Sequence, residues 1–275
     1  MFDSTQALSP SAYRQLCTLF KEASGIHLPI NKQTLIASRL RTRLEHLGLA
    51  DFDAYCSYVQ NRQHGDEHQR MVDLLTTNET YFFREPAHFA LLTQLIKGPL
   101  SQGPLRVWSA ASSSGEEAYS IAMTLAEQRE DPKWEIVASD ISSRALARAR
   151  RALYPLQRIE NMPSGYLQRY CLRGKGDYAG HFLIDRSLRS RVQCMPHNLT
   201  HDGTAMGLFD VIFLRNALIY FEPDAKMQIL ERMCERLRPG AYLFVGHAEA
   251  LHTHDLPLQR IGKAAYRRVH NAGTR

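Results

Sequence analysis

The sequence predicts an α/β protein in which a small helical domain precedes a doubly wound, mostly parallel sheet with a small antiparallel excursion. From residue 105 onwards, short apolar runs alternate with helical patterns, as in sheets built from β–α units. Residues 11–75 instead carry apolar residues at helical spacing. A Gly-rich segment between two short strand patterns interrupts the β–α rhythm near residue 174. We expect a helical domain at 1–75, a linker at 76–90 and a sheet domain at 91–275, with the excursion at about 165–191.

The composition is that of a soluble globular chain, with 275 residues, 44% hydrophobic and 23% charged. No apolar run approaches the roughly 18–20 residues that span a bilayer. The N-terminus has neither the basic nor the apolar region of a signal peptide. The five cysteines are scattered and form no CxxC, which indicates reduced thiols. We therefore expect a cytoplasmic protein without membrane insertion.

The net charge is +6 and the pI is about 9.1. An excess of positive charge favours an acidic partner, which could be a nucleic acid, a membrane surface or an acidic protein. Because a mildly basic pI is common among cytoplasmic enzymes, the charge only ranks these partners.

The predicted helices of residues 11–75 have recognisable termini. The first ends at Gly25, the second covers 31–47 and ends at Gly48, Asp51 caps the third, and Asp66 starts the fourth.

Three arginines lie on the second predicted helix. Arg39 and Arg43 are one turn apart along one edge of its apolar stripe, and Arg41 is on the other side. One interpretation is a basic ridge that docks an acidic helix of a partner. The other is a solvated face whose aliphatic stems cover the core. The sequence leaves both open.

Two groups of histidines raise the question of a metal site. Residues 64–68 match the H-x-x-E-H pattern of zinc proteases, but the glycine and aspartate after His64 place the motif at a helix start, where the imidazoles do not converge. His247, His252 and His254 form a looser group. We interpret both groups as surface histidines and predict no metal site.

The segment 76–88, TTNETYFFREPAH, joins the two halves of the chain. Its polar residues are interleaved with three consecutive aromatic residues, which a mere linker would not need. Pro86 suits the first position of the next helix. We expect this segment to pack against the sheet domain with its polar groups aimed into a site.

A strand, a small-residue turn and a helix start follow one another over 105–123. Small residues such as Gly115 let a ligand approach the backbone. Glu116 and Glu117 at the helix start would repel a phosphate, so the turn suits a ligand with positive charge and hydroxyls. An ordinary strand–helix turn has the same pattern. Asp140, which ends the second predicted strand, is placed to bind the two hydroxyls of a ribose.

The later elements continue the β–α alternation. The run DVIFL predicts a fully buried strand, with Arg215 and Asn216 at its carboxyl end and Tyr220 a turn later. The remaining predictions are one helix over 141–154, the third strand at 192–195, a helix with a Pro-Gly stop at 239–240, a fifth strand ending in GHAE, and closing strands within 259–269.

Five segments in this order and spacing resemble the chemotaxis receptor methyltransferases of the CheR type: NETYFFRE, WSAASSSGEEAYSIAM, ASDIS, FDVIFLRNALIYF and LFVGHAE. The resemblance covers nearly the whole chain. It implies a Rossmann-like methyltransferase domain that uses S-adenosylmethionine and yields S-adenosylhomocysteine. It also implies that the methyl group goes to glutamate side chains of bacterial chemoreceptors.

The resemblance also assigns roles to residues. It places Arg84 and Tyr220 beside the transferred methyl group. The cofactor contacts that it implies are Asn78, Thr80, Arg84, Glu117, Asp140, Asn198, Leu199, Arg215 and Asn216. Ser112, Ser114 and Leu214 depart from residues frequent in the family, but these changes are small or buried.

The chemistry fits these residues. Methyl transfer from a sulfonium is an in-line displacement, which mainly requires that two reactants be held in position. A glutamate, with a free pKa of about 4.3, is already ionised at neutral pH, so no general base is required. Arg84 and Tyr220 can orient the carboxylate by hydrogen bonds.

The expected partners are acidic. The positive charge fits a Glu-rich receptor helix. The excursion around Arg173, Gly174, Gly176 and Gly180 resembles the subdomain with which some family members capture a C-terminal receptor peptide by strand addition. A regulatory protein could dock on the helical domain. We expect a monomer that does not bind nucleic acid.

Two other functions fit parts of the sequence. A nucleic-acid methyltransferase would share the basic pI and the cofactor fold, but the chain lacks the Pro-Cys nucleophile motif and the Asn/Asp-Pro-Pro-Tyr amine motif. A scaffold that senses the cofactor without turnover would keep the fold. Intact Arg84 and Tyr220 speak against it.

Overall fold

The computed structural model describes residues 8–61, 65–251 and 255–269. It confirms the predicted fold class, because a helical domain precedes an α/β domain with a seven-stranded mixed sheet and a three-stranded antiparallel sheet. Within these ranges no helix combines the length and apolar character needed to cross a bilayer. The predictions for His64, His252 and His254 fall outside the described residues.

The helical domain is built from α1 Pro10–Ser24, α2 Gln33–Leu47, α3 Phe52–Gln60 and α4 Gly65–Leu75. Gly25 and Gly48 adopt the left-handed conformation that ends α1 and α2. Asp51 caps α3 by accepting a hydrogen bond from the backbone N–H of Ala54 at 2.8 Å. These termini confirm the predictions. Helix α2 starts later than predicted because Ile30–Lys32 form a 3₁₀ turn.

Two of the three arginines on α2 are engaged inside the helical domain. Arg43 forms a two-pronged pair with the buried carboxylate of Glu67, with 2.5 Å between Nη2 and Oε2. Arg39 donates to the backbone carbonyl of Leu75 at 2.6 Å. These contacts account for both side chains without a partner protein. Arg41 is exposed, so for this residue the docking ridge stays a prediction.

The substitution Arg43→Met is expected to lower the free energy of unfolding by about 3 kcal/mol, because it leaves a buried carboxylate unpaired. Burial raises the pKa of Glu67, but hydrogen bonds from Arg43 and Tyr55 outweigh burial and hold the pKa below its usual range. The stabilisation is therefore present at neutral pH and is lost as the pH falls through the folded-state pKa. Urea unfolding at neutral and acidic pH measures it, with Arg41→Met as the control. A difference that persists undiminished in acid would contradict this account.

The large sheet has the strand order β6-β2-β1-β7-β8-β10-β9. The first five strands in this order are parallel, and β10 pairs antiparallel with both β8 and β9. Their bounds are β1 Leu105–Ala110, β2 Trp134–Asp140, β6 Val192–Pro196, β7 Phe209–Leu214, β8 Leu237–Val245, β9 Leu258–Gly262 and β10 Ala265–Arg268. The predicted doubly wound, mostly parallel sheet is confirmed.

Helices cover both faces of this sheet, so that alternate strand residues pack into two apolar layers. Val107 faces one layer and Trp108 the other. The helices are α5 Pro86–Lys97, α6 Glu116–Gln128, α7 Ser143–Arg151, α8 Tyr166–Tyr170, α9 Arg186–Arg189 and α10 Pro223–Arg236.

The excursion is a sheet with the order β3-β5-β4, from β3 Leu153–Pro155, β4 Cys171–Arg173 and β5 His181–Ile184. It starts earlier in the chain than the predicted 165. The prediction of one helix over 141–154 is wrong, because α7 ends at Ala152 with φ 52° and the chain continues as a strand. Tyr154 then buries its ring against Phe82, with 5.0 Å between ring centroids.

The predicted Pro-Gly helix stop is also wrong. Helix α10 ends at Arg236, and the segment with Pro239 and Gly240 belongs to β8. Leu237 pairs with Phe209 on β7, and Arg238 forms an ion pair with Asp210 at 2.8 Å. Strand pairing with β7 therefore ends the helix earlier than the local breaker would.

Candidate active site

A cavity of about 480 Å³ opens at the carboxyl ends of β1, β2, β6 and β7. The strand order reverses between β1 and β7, and open α/β sheets bind ligands at such a point. The helical domain, the linker and the sheet domain all contribute to the wall. Every predicted cofactor residue lines it, as does Tyr220: Asn78, Thr80, Arg84, Glu117, Asp140, Asn198, Leu199, Arg215 and Asn216. The structure thus brings this set together, while the individual roles stay predictions.

The residues predicted to dock the substrate are dispersed. Arg39 lines the cavity. Within the described residues, Arg41, Arg43, Arg173, Gly174, Gly176 and Gly180 lie outside its lining.

Asp140 fastens the turn after β1 to the start of α7. One carboxylate oxygen accepts from the backbone N–H of Ser113 and the other from that of Ser142, both at 2.8 Å. Burial raises the pKa of Asp140, while the two backbone donors favour its ionised form. A carboxylate has about four acceptor sites, so lone pairs remain for hydroxyls in the cavity. Ser112 adds a buried hydroxyl with no hydrogen-bond partner among the described residues.

The two acids at the start of α6 play different parts. Glu117 lines the cavity, accepts from Ser109 Oγ at 2.6 Å and pairs with Arg215 at 3.2 Å. Glu116 is buried away from it and accepts from Ser114 Oγ at 2.6 Å. Of the two acids at the start of α6, only Glu117 therefore faces a ligand in the cavity. Burial raises the pKa of Glu117, and a cationic ligand beside it would favour the ionised form again.

Position 115 requires a glycine for packing, and not for the predicted close approach of a ligand. Its φ is 95°, and a Cβ there would lie 2.9 Å from both Ala149 Cβ and the Tyr154 hydroxyl. The glycine therefore lets the turn pack against α7 and β3. The residues that face the cavity in this turn are Ala111, Ser112 and Ser113.

Arg215 is a buried cation between two carboxylates. Its side chain is 1% exposed and lies 3.2 Å from Glu85 and 3.2 Å from Glu117. It also donates to the backbone carbonyl of Arg84. Glu85 in turn accepts from the side-chain amide of Asn216 at 3.3 Å. The linker is thereby fixed to the end of β7.

Glu85 and Glu249 are the acids that the sequence analysis missed. Glu249 is buried, and one of its oxygens accepts from the backbone N–H groups of Asn216 at 2.7 Å and Gly246 at 2.8 Å. The sequence does contain a signal for Glu249, because this acid follows a strand, β8, much as Asp140 ends β2. For Glu85 nothing in the sequence separates it from its neighbour Glu79.

Two histidines, His88 and His247, flank Glu85. A nitrogen of each and a carboxylate oxygen of Glu85 lie within 4.8 Å of one another, so the atom types would suit a metal ion. The Glu85 oxygen that faces both histidines already pairs with Arg215, and a second buried cation there would be repelled. Burial and the charge of Arg215 lower the pKa of His88 to about 4, so it is neutral at physiological pH. The cation of this cluster is Arg215.

The linker packs as predicted, with one exception. Phe82 and Phe83 are buried, whereas Tyr81 is 41% exposed. Phe83 and Glu85 have positive φ values of 54° and 59°, and such strain clusters at functional sites. The Arg84 guanidinium lies 5.6 Å from the centroid of the Tyr81 ring and donates to the Glu79 carbonyl at 3.1 Å.

Tyr220 ends the 3₁₀ turn Leu218–Tyr220 after β7. Its carbonyl accepts from the backbone N–H of His27 at 3.0 Å, which joins this turn to the helical domain. Asn198, after β6, makes a similar link by donating to the carbonyl of Ala23 at 3.1 Å. Cavity residues of the sheet domain are therefore bonded to the last turn of α1 and to the segment that follows it.

Comparison with known proteins identifies a family that matches both parts of the chain. A family model described as "CheR methyltransferase, SAM binding domain" matches residues 78–266, and one described as "CheR methyltransferase, all-alpha domain" matches residues 11–76. The chain is 40% identical over 246 residues to the chemotaxis protein methyltransferase of Escherichia coli, covering 88% of this chain and 85% of that protein. It is 42% identical over 259 residues to chemotaxis protein methyltransferase 2 of Pseudomonas aeruginosa, covering 92% and 91%.

Fold, cavity and family model together define an S-adenosylmethionine-binding methyltransferase domain behind an all-helical one. The donor set fits this cofactor, with a carboxylate for a sulfonium and a second carboxylate at the strand end for ribose hydroxyls. The chain belongs to the CheR methyltransferase family, as its motifs predict.

Proposed function

We propose that the protein transfers a methyl group from S-adenosylmethionine to glutamate carboxylates of bacterial chemoreceptors, and that the glutamyl methyl esters serve chemotactic adaptation. The observation that carries this proposal is the convergence of Arg84 and Tyr220 on the cavity that holds the predicted cofactor residues. The names of the relatives, chemotaxis protein methyltransferases at 40% and 42% identity, support it.

The cofactor, when bound, supplies an electrophilic methyl group on a sulfonium. Glu117 would balance its positive charge, and Asp140 would accept hydrogen bonds from the ribose hydroxyls. Asn78 and Thr80 of the linker, Asn198 and Leu199 after β6, and Arg215 and Asn216 after β7 would complete the contacts.

In the proposed transfer step, Arg84 and Tyr220 would hold the substrate glutamate so that one of its oxygens could bond to the methyl carbon as the carbon–sulfur bond breaks. The carboxylate and the sulfonium both lose their charges, so an enclosed, water-poor cavity favours the reaction. Arg84 and the Tyr220 hydroxyl would orient the carboxylate. No proton has to be removed, because glutamate is ionised at neutral pH.

The proposal predicts that Arg84→Ala lowers kcat about 100-fold, the scale of losing one positioned donor in the transition state. The measurement is transfer of labelled methyl groups to receptor-containing membranes, scored as base-labile methanol, with nucleic acid as a parallel substrate. Arg144→Ala, an exposed arginine on α7, is the matched control. Label on nucleic acid would favour a nucleic-acid methyltransferase. Cofactor binding without transfer to receptor would overturn the proposal in favour of a scaffold.

We further propose that β4, at the edge of the small sheet, pairs with a C-terminal receptor peptide. Leu172 on β4 is 53% exposed, and Tyr178 in the following turn is 55% exposed. Gly174 permits this turn, because a Cβ there would lie 2.0 Å from the Tyr178 carbonyl oxygen. Gly176 and Gly180 have positive φ.

Deletion of residues 174–180, and separately Leu172→Ser, is expected to weaken binding of a tethered receptor tail about tenfold, because the edge strand loses its turn or its apolar contact. Fluorescence anisotropy with a labelled tail peptide measures the affinity. Unchanged affinity in both variants would exclude this peptide site. The monomeric state and a regulatory partner of the helical domain stay predictions.

A further inference from the structure

Three exposed apolar side chains line the cavity. The described residues expose eight large hydrophobic side chains, and three of these, Leu35, Tyr81 and Ile219, line this cavity with exposures of 37%, 41% and 52%. Single exposed hydrophobic residues are normal on protein surfaces, whereas a group around a ligand site marks a contact surface. We name this group the apolar collar.

The collar residues come from three separate segments that the structure holds in place. Leu35 lies in the first turns of α2, and Tyr81 faces the Arg84 guanidinium. Ile219 is anchored by its backbone N–H, which donates to Glu249 at 3.2 Å. The helical domain and the Ile219 turn are joined through the His27–Tyr220 hydrogen bond. The collar is therefore a surface of both domains.

Charge around the collar favours an acidic occupant. Lys32 and Arg84 line the same cavity, as does the exposed Glu79, while His27 lies 3.3 Å from the carboxylate of Glu222. An occupant that meets both the apolar collar and these cations must carry apolar and acidic side chains close together. A helix does so when apolar residues lie three or four positions from a glutamate.

We propose that the apolar collar binds the apolar side chains that flank the acceptor glutamate, so that the enzyme selects glutamates at the boundary between the apolar and acidic faces of an amphipathic helix. This inference rests on the proposed function, because it concerns the acceptor of the same reaction. It adds that a glutamate without apolar neighbours at helical spacing is a poor acceptor, whatever its negative charge.

The test compares two peptides of identical composition, one with apolar residues three and four positions from a central glutamate and one scrambled. Wild type is expected to bind the patterned peptide about tenfold more tightly in anisotropy measurements. Leu35→Ser and Ile219→Ser should remove this preference while leaving the Kd for S-adenosylmethionine unchanged. Leu208→Ser, which is 39% exposed and lies outside the cavity lining, is the matched control.

Equal binding of the two peptides by wild type, or a preference that survives in both collar variants, would overturn the proposed role of the apolar collar. Binding does not depend on turnover, so the two proposals fail separately. Collar-dependent binding without methyl transfer to any receptor would contradict the proposed function and leave the collar intact.

Discussion

Replacing Arg215 by methionine is expected to lower the free energy of unfolding by about 3–5 kcal/mol and to abolish binding of S-adenosylmethionine. Arg215 is 1% exposed and is the cation between Glu85 and Glu117. Removing one member of a buried ion pair leaves the other charge without compensation, which costs more than the pair itself contributes. Because the backbone of Asn216 and the linker depend on the same cluster, the cavity wall should loosen as well.

Urea unfolding and calorimetric titration with S-adenosylmethionine measure the two effects. Arg215→Lys separates charge from shape, since it keeps the cation but loses the planar fork that reaches two carboxylates. We expect it to be intermediate in both measurements. Arg144→Met, at an exposed position of α7, is the control. If Arg215→Met unfolds like wild type, the buried ion pairs do not contribute to stability as described.

The second large effect is expected for Asp140→Asn, which should raise the Kd for S-adenosylmethionine about 100-fold. An asparagine has one amide oxygen and one NH₂ group, so it can accept from only one of the two backbone N–H groups that Asp140 binds. The hydrogen bond that is lost, to a charged group, is worth about 1.5–3 kcal/mol. It also removes the charged acceptor for ribose hydroxyls.

Asp73→Asn is the matched control for this substitution. Asp73 also accepts from the start of α7, with 2.5 Å to Ser143 Oγ, but lies outside the cavity lining. The Kd of the Asp73→Asn variant for S-adenosylmethionine should stay within about twofold of the wild-type value. Equal losses in the two variants would mean that Asp140 acts only by fixing α7 and not by contact with the cofactor.

Much of the site could be predicted because the carboxyl ends of parallel strands meet at one edge. Once the apolar runs had located β1, β2 and β7, the residues that follow them had to converge. Asp140 and Arg215 were found this way. Glu85 could not be predicted, because the same polar stretch holds an equivalent acid, Glu79, and its partner Arg215 is 130 residues further along the chain.

Contacts between residues far apart in the chain also explain where the helix prediction for α7 is wrong and where the role of the α2 arginines stayed open. The helical pattern of α7 continues past Arg151, and only the burial of Tyr154 against Phe82 turns the chain into a strand. For the arginines of α2 the sequence left a docking ridge and a solvated face both open, because Glu67, the partner of Arg43, lies on another helix. Tertiary contacts decided each case.

Asn198, a proposed cofactor contact, also donates a hydrogen bond to the carbonyl of Ala23 in α1, so the proposed function couples cofactor affinity to the docking of the two domains. Any binding event that stabilises the helical domain against the sheet domain must strengthen cofactor binding by the same factor by which the cofactor strengthens that event. Conversely, a protein that draws α1 away from β6 would release the cofactor without touching it.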